Sequence, residues 1–307
     1  SMAAATVSSS TVSSALKVGL ELEASLGTNP FKFGVVGATD THTALSTTRE
    51  ENNFGKTSIM EPSEDRWSDQ VVPDPEETGT GTYEFETIAS GLQGVWAREN
   101  TRESLWDAMK RKETYATTGS RMTVRVFAGW DFVEADVQRP DFAKIGYLDG
   151  VPMGGDLSKA PDDKAPKLMI RALRDPDGAN LDRVQVIKGW LDGAGKLHER
   201  VYDVAVSGDR KIDPKSGRCK TAVGDTADPK TATFTNSIGD VHLRGFWKDP
   251  DFDPSERAFY YVRVIEIPTP RWTTHDAVFY GLKLPEGVPA SQQDRAYTSP
   301  IWYTPKG

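Results

Sequence analysis

The chain has 307 residues, 37% hydrophobic and 27% charged, with 45 acidic against 37 basic side chains and a net charge of -8. That length allows two domains with separate cores, and the acidic balance excludes a general nucleic-acid or anionic-membrane surface while leaving room for one locally basic pocket. No apolar run approaches the ~20 residues of a membrane span, and a lone Cys219 excludes an internal disulfide and a cysteine-based zinc site.

The chain opens on Ser1-Met2 and an Ala- and Ser-rich stretch that reads as a linker, without the basic n-region and apolar core of a signal peptide. A leader upstream would make the protein periplasmic or secreted, so no compartment is assigned. From Ser14 to Leu26, Leu16/Leu20 and Val18/Leu22 are each four apart. This predicts a helix stopped by Gly27 and Asn29-Pro30; the alternate spacing also fits a strand, but the Ala, Glu and Lys content favours the helix.

Phe33-Gly-Val-Val36, bounded by Gly37 and running into Ala38-Thr-Asp-Thr-His-Thr43, reads as a buried strand that delivers polar groups at its end. In an extended segment residues two apart face the same way, so Asp40 and His42 become candidate ligands for a divalent metal. The competing reading is a loop Asp that caps backbone beside a structural His.

Residues 43 to 86 are polar and broken by Pro62, Pro73, Pro75, Gly79 and Gly81, which makes a connection long enough to be either a functional lid or a disordered excursion. Lys56 within it could offset an anionic substrate, and Glu50 or Glu51 could approach a metal; a solvated charge run is the alternative. Trp67, among acidic and basic neighbours, is expected to anchor the loop.

Residues 91 to 97 read as a strand. Asn100 and Glu103 form a capping-box pattern ahead of a helix with Leu105, Trp106, Ala108 and Met109 on one face and Lys110 to Lys112 at its end. Glu99 and Arg102 therefore sit at a strand-to-helix junction, where they could orient an anion or form an ordinary surface pair. The hydroxyl-rich turn 115 to 121 ends in Arg121, whose guanidinium suits bidentate oxyanion recognition or, equally, a clamp between two domains.

From Met122 the period changes to two. Strands are expected over 122–128, 167–173, 181–190, 196–205, 240–247, 257–267 and 297–303, with turns at Asp175-Pro-Asp-Gly178 and Asp192-Gly-Ala-Gly195. Many short strands without intervening helices point to an antiparallel, immunoglobulin-like sandwich whose Trp130, Trp190, Trp247, Trp272 and Trp302 pack its core or an inter-domain contact rather than form a ligand platform. The stretch 207 to 228 reads as a surface loop, and 249 to 254 as a turn lacking the glycine and terminal glutamate of an EF-hand. His275-Asp276 could reach a metal centre or be an ordinary loop pair.

The strings GVVGATDTH, NPFKFG, EENNFGK, GLQGVWARENTRESLWDAMKRKETYATTGSR and RAYTSPIWYTP together resemble the DUF3604 family across most of the chain. That family in turn resembles the PHP (polymerase and histidinol phosphatase) metal-dependent hydrolases. The resemblance implies the C-terminal part of a distorted β/α barrel over residues 1–121, followed by an antiparallel immunoglobulin-like β-sandwich over 122–307. It implies that Asp40 and His42 match the last metal-binding motif, holding zinc, manganese or iron. Arg121, Glu99 and Lys56 become candidate catalytic groups acting on a small phosphoester or related anionic ester. The four histidines include no H-x-H pair, so completion of the metal site would require a missing N-terminal segment or a second subunit. Two function classes follow, a hydrolase of this kind or a non-catalytic β-sandwich binding module; neither calls for nucleic acid or a membrane span.

Overall fold

The computed structural model describes residues 11–47, 49–73, 81–89, 91–158, 160–162 and 164–305. Among them, helix α1 spans Val12–Leu26, the short strands β1 and β2 span Gln70–Val72 and Thr82–Tyr83, β3 spans Leu92–Val95 and α2 spans Arg102–Lys110. Then follow β4 (Thr114–Thr117), β5 (Thr123–Gly129), α3 (Phe142–Asp149), β6 (Gly150–Pro152), β7 (Asp156–Ser158), β8 (Lys167–Leu173), β9 (Leu181–Leu191) and β10 (Leu197–Val206). The chain closes with β11 (His242–Lys248), β12 (Arg257–Glu266), β13 (Thr269–Pro270), α4 (Trp272–Tyr280), β14 (Ser291–Gln292), β15 (Arg295–Thr298) and β16 (Ile301–Thr304).

The period-two segments do form strands, because alternation lets each bury one face. They build two main sheets: one in the order β10-β9-β12-β15-β4-β3, with β16 on β12 and β7 parallel to β16, the other in the order β11-β8-β5-β6. Val124, Val126, Leu168 and Ile170 from the second sheet share a single core with Val184, Val186, Tyr260, Val262 and Ala296 from the first. The result is a mixed α/β structure of mostly antiparallel sheets in which, among the described residues, no sheet closes into a barrel. The boundary expected at 121/122 falls between β4 and β5; β4 hydrogen-bonds to β15 and so lies in the same sheet as the strands of the C-terminal half.

Several details differ from expectation. Strands are not the only C-terminal elements: α3 and α4 interrupt them. Residues 272 to 280 carry Thr273, Thr274, Val278 and three aromatics, a strand-like composition overridden because Trp272, Thr273, Thr274 and Ala277 bury against the rest of the fold. Residues 297 to 303 form two strands, since Pro300 cannot donate to a continuous ladder. In α2 the N-cap is Thr101, whose hydroxyl accepts from the Ser104 N–H, and Trp106 and Met109 are exposed, leaving Ala108 as the buried contact. Within the long polar connection, residues 48 and 74–80 lie outside the described ones, taking Pro75 and Gly79 with them; the rest is pinned by short 3-10 turns and the β1–β2 pair.

The segment 33–36 is not a strand: Phe33 and Val36 are exposed. The Val35 backbone is bonded by side chains instead of a ladder. The Val35 N–H donates to the Ser299 hydroxyl at 2.9 Å, and the Thr114 hydroxyl donates to the Val35 carbonyl at 3.0 Å. Close approach to β3 and β4 requires glycine: a Cβ on Gly37 would stand 2.3 Å from the Leu92 carbonyl oxygen, and one on Gly91 would stand 2.4 Å from that of Ala38.

Candidate functional site: an arginine-rimmed acidic cleft

The residues predicted to act together divide into three places. Asp40 and His42 are both exposed, in an irregular turn where Asp40 takes φ 55°, a left-handed conformation that Asp tolerates better than most residues. Lys56 ties this turn down: its ammonium donates to the Thr39 carbonyl, and its own carbonyl accepts the His42 N–H at 2.8 Å. Burial lowers the Lys56 amine, against the opposing pull of Asp40, Glu50 and Glu84. Glu99 stands apart, exposed ahead of α2, with its N–H donating to the Ser104 hydroxyl. Among the described residues no three His, Cys, Asp or Glu side chains are grouped to hold a metal ion. Asp40 and His42 are therefore, among the described residues, at most part of a ligand set.

Arg121 lines a cleft of about 370 Å³ walled by the 3-10 turn at 50–52, the β4–β5 junction, the 175–178 turn, the end of β12 and the first turns of α4. The turn at 175–178 is the one expected, closed by the Gly178 N–H on the Asp175 carbonyl. Its exposed Asp177 receives two guanidinium groups on the same oxygen, Oδ2: Arg121 Nη2 at 2.8 Å and Arg49 Nη2 at 3.3 Å. Arg121 thus acts as a clamp, joining the β4–β5 junction to the turn after β8. It also holds, with Arg49, the position at the rim where a carboxylate is bound.

Deeper in the cleft sit two carboxyl groups on neighbouring backbone, joined by the Glu266 N–H donating to the Asp294 carbonyl at 2.9 Å. Glu266 is buried and bonded to the Ser120 hydroxyl. Burial, reinforced by the nearby Asp294 charge, pushes it up to about 8, so it carries its proton at neutral pH. Asp294 accepts from the Thr118 hydroxyl at 2.6 Å and is raised by burial to about 6, so it is mostly ionised. His275 on α4 also faces the cleft; burial lowers it against the pull of Glu51, Glu50 and Asp276, so it is neutral. One held proton, one ionised carboxylate and one neutral imidazole can together give a proton to a leaving group and take one from water.

Glu50 joins the cleft to the Asp40 turn. Its two oxygens accept from the Ala89 and Trp272 N–H groups at 3.0 and 2.7 Å, and its charge acts on Lys56. The loop anchor expected at Trp67 is its neighbour: Arg66 is buried, bidentate to Asp276 at 2.6 and 2.9 Å, with its guanidinium 4.7 Å from the centre of the Trp272 ring. Trp67 is only half-buried and donates to the Glu64 carbonyl. Sequence reasoning missed Glu266 and Asp294, although Glu266 carried a signal: it continues the inward parity of Ala258, Tyr260, Val262 and Val264, where a carboxylate is out of place unless it does something.

Fold and cleft together define a mixed α/β protein with mostly antiparallel sheets, a basic rim and an acidic floor. The chain belongs to DUF3604, described as a protein family of unknown function, which it matches over residues 2–305. No curated protein and no solved structure matches it. No helix among the described residues is long and apolar enough to cross a membrane.

Proposed function

We propose that this chain belongs to a hydrolase related to the PHP enzymes, acting on a phosphoester or related anionic ester whose charged end binds at the Arg49–Arg121 rim. The observation that carries this reading is the convergence of both guanidiniums on a single Asp177 oxygen, a place where a substrate oxyanion can replace the internal carboxylate. Below the rim, protonated Glu266 is the group placed to protonate a leaving oxygen, and Asp294 or His275 the group to accept a proton from water. Asp40 and His42 would supply two ligands to a zinc, manganese or iron ion whose other ligands would come from a further N-terminal segment or a second subunit; when bound, that ion would acidify a water molecule. Lys56 stands beside that pair as a compensating charge, and Glu99 has no part in the cleft.

A second reading is favoured by one specific observation, the lack of any three-ligand group among the described residues: a non-catalytic binding module whose cleft captures an anionic ligand. Hydrolysis of p-nitrophenyl phosphate, bis-p-nitrophenyl phosphate and p-nitrophenyl sulfate, with and without added zinc, manganese or iron, separates the two. The hydrolase reading requires turnover of at least one ester that falls in Arg121→Gln and in the Asp40→Ala/His42→Ala double variant. Saturable ester binding without turnover under any condition supports the binding module.

A further inference from the structure

The outer face of the second sheet carries a feature the cleft does not use. Arg125 on β5 pairs in register with Arg171 on β8, and Arg171 pairs in register with Arg244 on β11, so three guanidiniums stand side by side across three strands. Like charges directly opposite one another on a sheet are destabilising, and this chain has a net charge of -8 from which to recruit carboxylates. Among the described residues it recruits one: Glu113 lies 3.9 Å from Arg125. Arg171 instead donates to the Val137 and Arg139 carbonyls, and Arg244 to the Gln138 side chain. Burial, and then the unrelieved charge of Arg244, hold the Arg171 guanidinium below its usual range.

The row is built rather than incidental. Arg125 lies over the Trp96 ring at 4.1 Å and Arg171 over Phe142 at 4.3 Å, contacts that hold both guanidiniums in place, and Arg125 Nη2 also donates to the Tyr147 hydroxyl at 2.8 Å. Among the described residues Arg125 Nε is buried with no hydrogen-bond partner. The row faces a pocket of about 440 Å³, closed on one side by the first turn of α3 and lined by Thr123 and His242 beside the arginines. Helix α3 and the 3-10 turn before it cover the neighbouring Phe127 and Met169, and the arginines occupy the part of the face left open.

We propose that this pocket is a second anion site, separate from the cleft, which binds a tetrahedral oxyanion: free phosphate or sulfate, or the same group on a small organic ester. The missing negative charge is supplied by the ligand, with Arg171 and Arg244 donating to its oxygens and Trp96 and Phe142 offering apolar surface to any organic part. The Trp96 indole N–H, bonded to the Val124 carbonyl at 2.9 Å, provides a local reporter.

The test follows the Trp96 indole signal by ¹⁵N–¹H NMR, assigned through Trp96→Phe, while inorganic phosphate or phenyl phosphate is added to the full chain at low salt. The signal should shift saturably in wild type and in Arg121→Gln, with affinity about tenfold weaker in Arg244→Gln, which is the loss of roughly one charge-assisted contact. Arg244 is exposed, so that variant should stay folded. Tighter binding of phenyl phosphate identifies an organic ester as the ligand, and equal affinity identifies the free anion. A Trp96 signal that does not move at millimolar anion, or that moves with the same affinity in Arg244→Gln, overturns the proposal.

Discussion

Replacing Glu266 with Gln should make the protein more stable at alkaline pH and leave it nearly unchanged in mild acid. The carboxyl is buried and raised from 4.5 to about 8, so between these values the folded chain keeps a proton that the unfolded chain releases. Stability from this group is therefore complete below about pH 4.5 and is lost as pH rises towards 8. At about 1.4 kcal/mol for each pH unit the full effect is at most about 5 kcal/mol, and solvent reaching the cleft reduces the expected value to about 2–3 kcal/mol. Gln has the same shape and can still bond the Ser120 hydroxyl, but it has no proton to lose. Urea unfolding of both proteins at several pH values from about 5 to 8 gives the difference directly. The buried Glu84, also raised to about 8, is common to both and cancels. A stability difference that stays flat with pH, or that grows towards acid, would refute the placement of a protonated carboxyl in the cleft floor.

Three further outcomes follow from buried contacts. Asp276→Ala strands the Arg66 guanidinium, whose side chain is 2% exposed against 16% for its partner, and should cost about 3 kcal/mol in urea unfolding, with new proteolytic cuts between 50 and 73. Asp249→Ala, which leaves the buried Lys188 ammonium without its carboxylate 2.8 Å away, should destabilise by about 3–5 kcal/mol, and Lys188→Met in the same chain should recover most of that; no recovery would count against the buried pair. Gly37→Ala drives a methyl into the Leu92 carbonyl and should lower the unfolding midpoint by the equivalent of about 2 kcal/mol, whereas an unchanged midpoint would mean the 33–38 segment does not lie against β3.

The strands with clean alternation were legible because burial of one face demands it, and β8 occupies the very span, 167–173, that its pattern indicates. The turns at 175 and 192 were legible for a different reason: Asp and Gly satisfy their backbones locally. What the pattern hid is decided by tertiary contacts. Hydroxyls from Thr114 and Ser299 replace the ladder that residues 33–36 were expected to join, and α4 is held as a helix by burial of residues whose propensities point elsewhere. At the site, Arg121 was visible as an isolated guanidinium in a hydroxyl-rich turn. The groups that share its cleft, Arg49, Glu266, His275 and Asp294, are scattered over nearly 250 residues, and only the packing of α4 against the 50–52 turn and the pairing of β12 with β15 bring them together.

The most direct measurement is an NMR titration of phenyl phosphate against the His275 imidazole, which faces the cleft and lies away from the arginine row on the second sheet. A saturable shift is expected, with an affinity that drops by about tenfold or more in Arg49→Gln/Arg121→Gln and is retained in Arg244→Gln. A His275 signal indifferent to the ester, or an affinity that survives loss of both rim arginines, would contradict it.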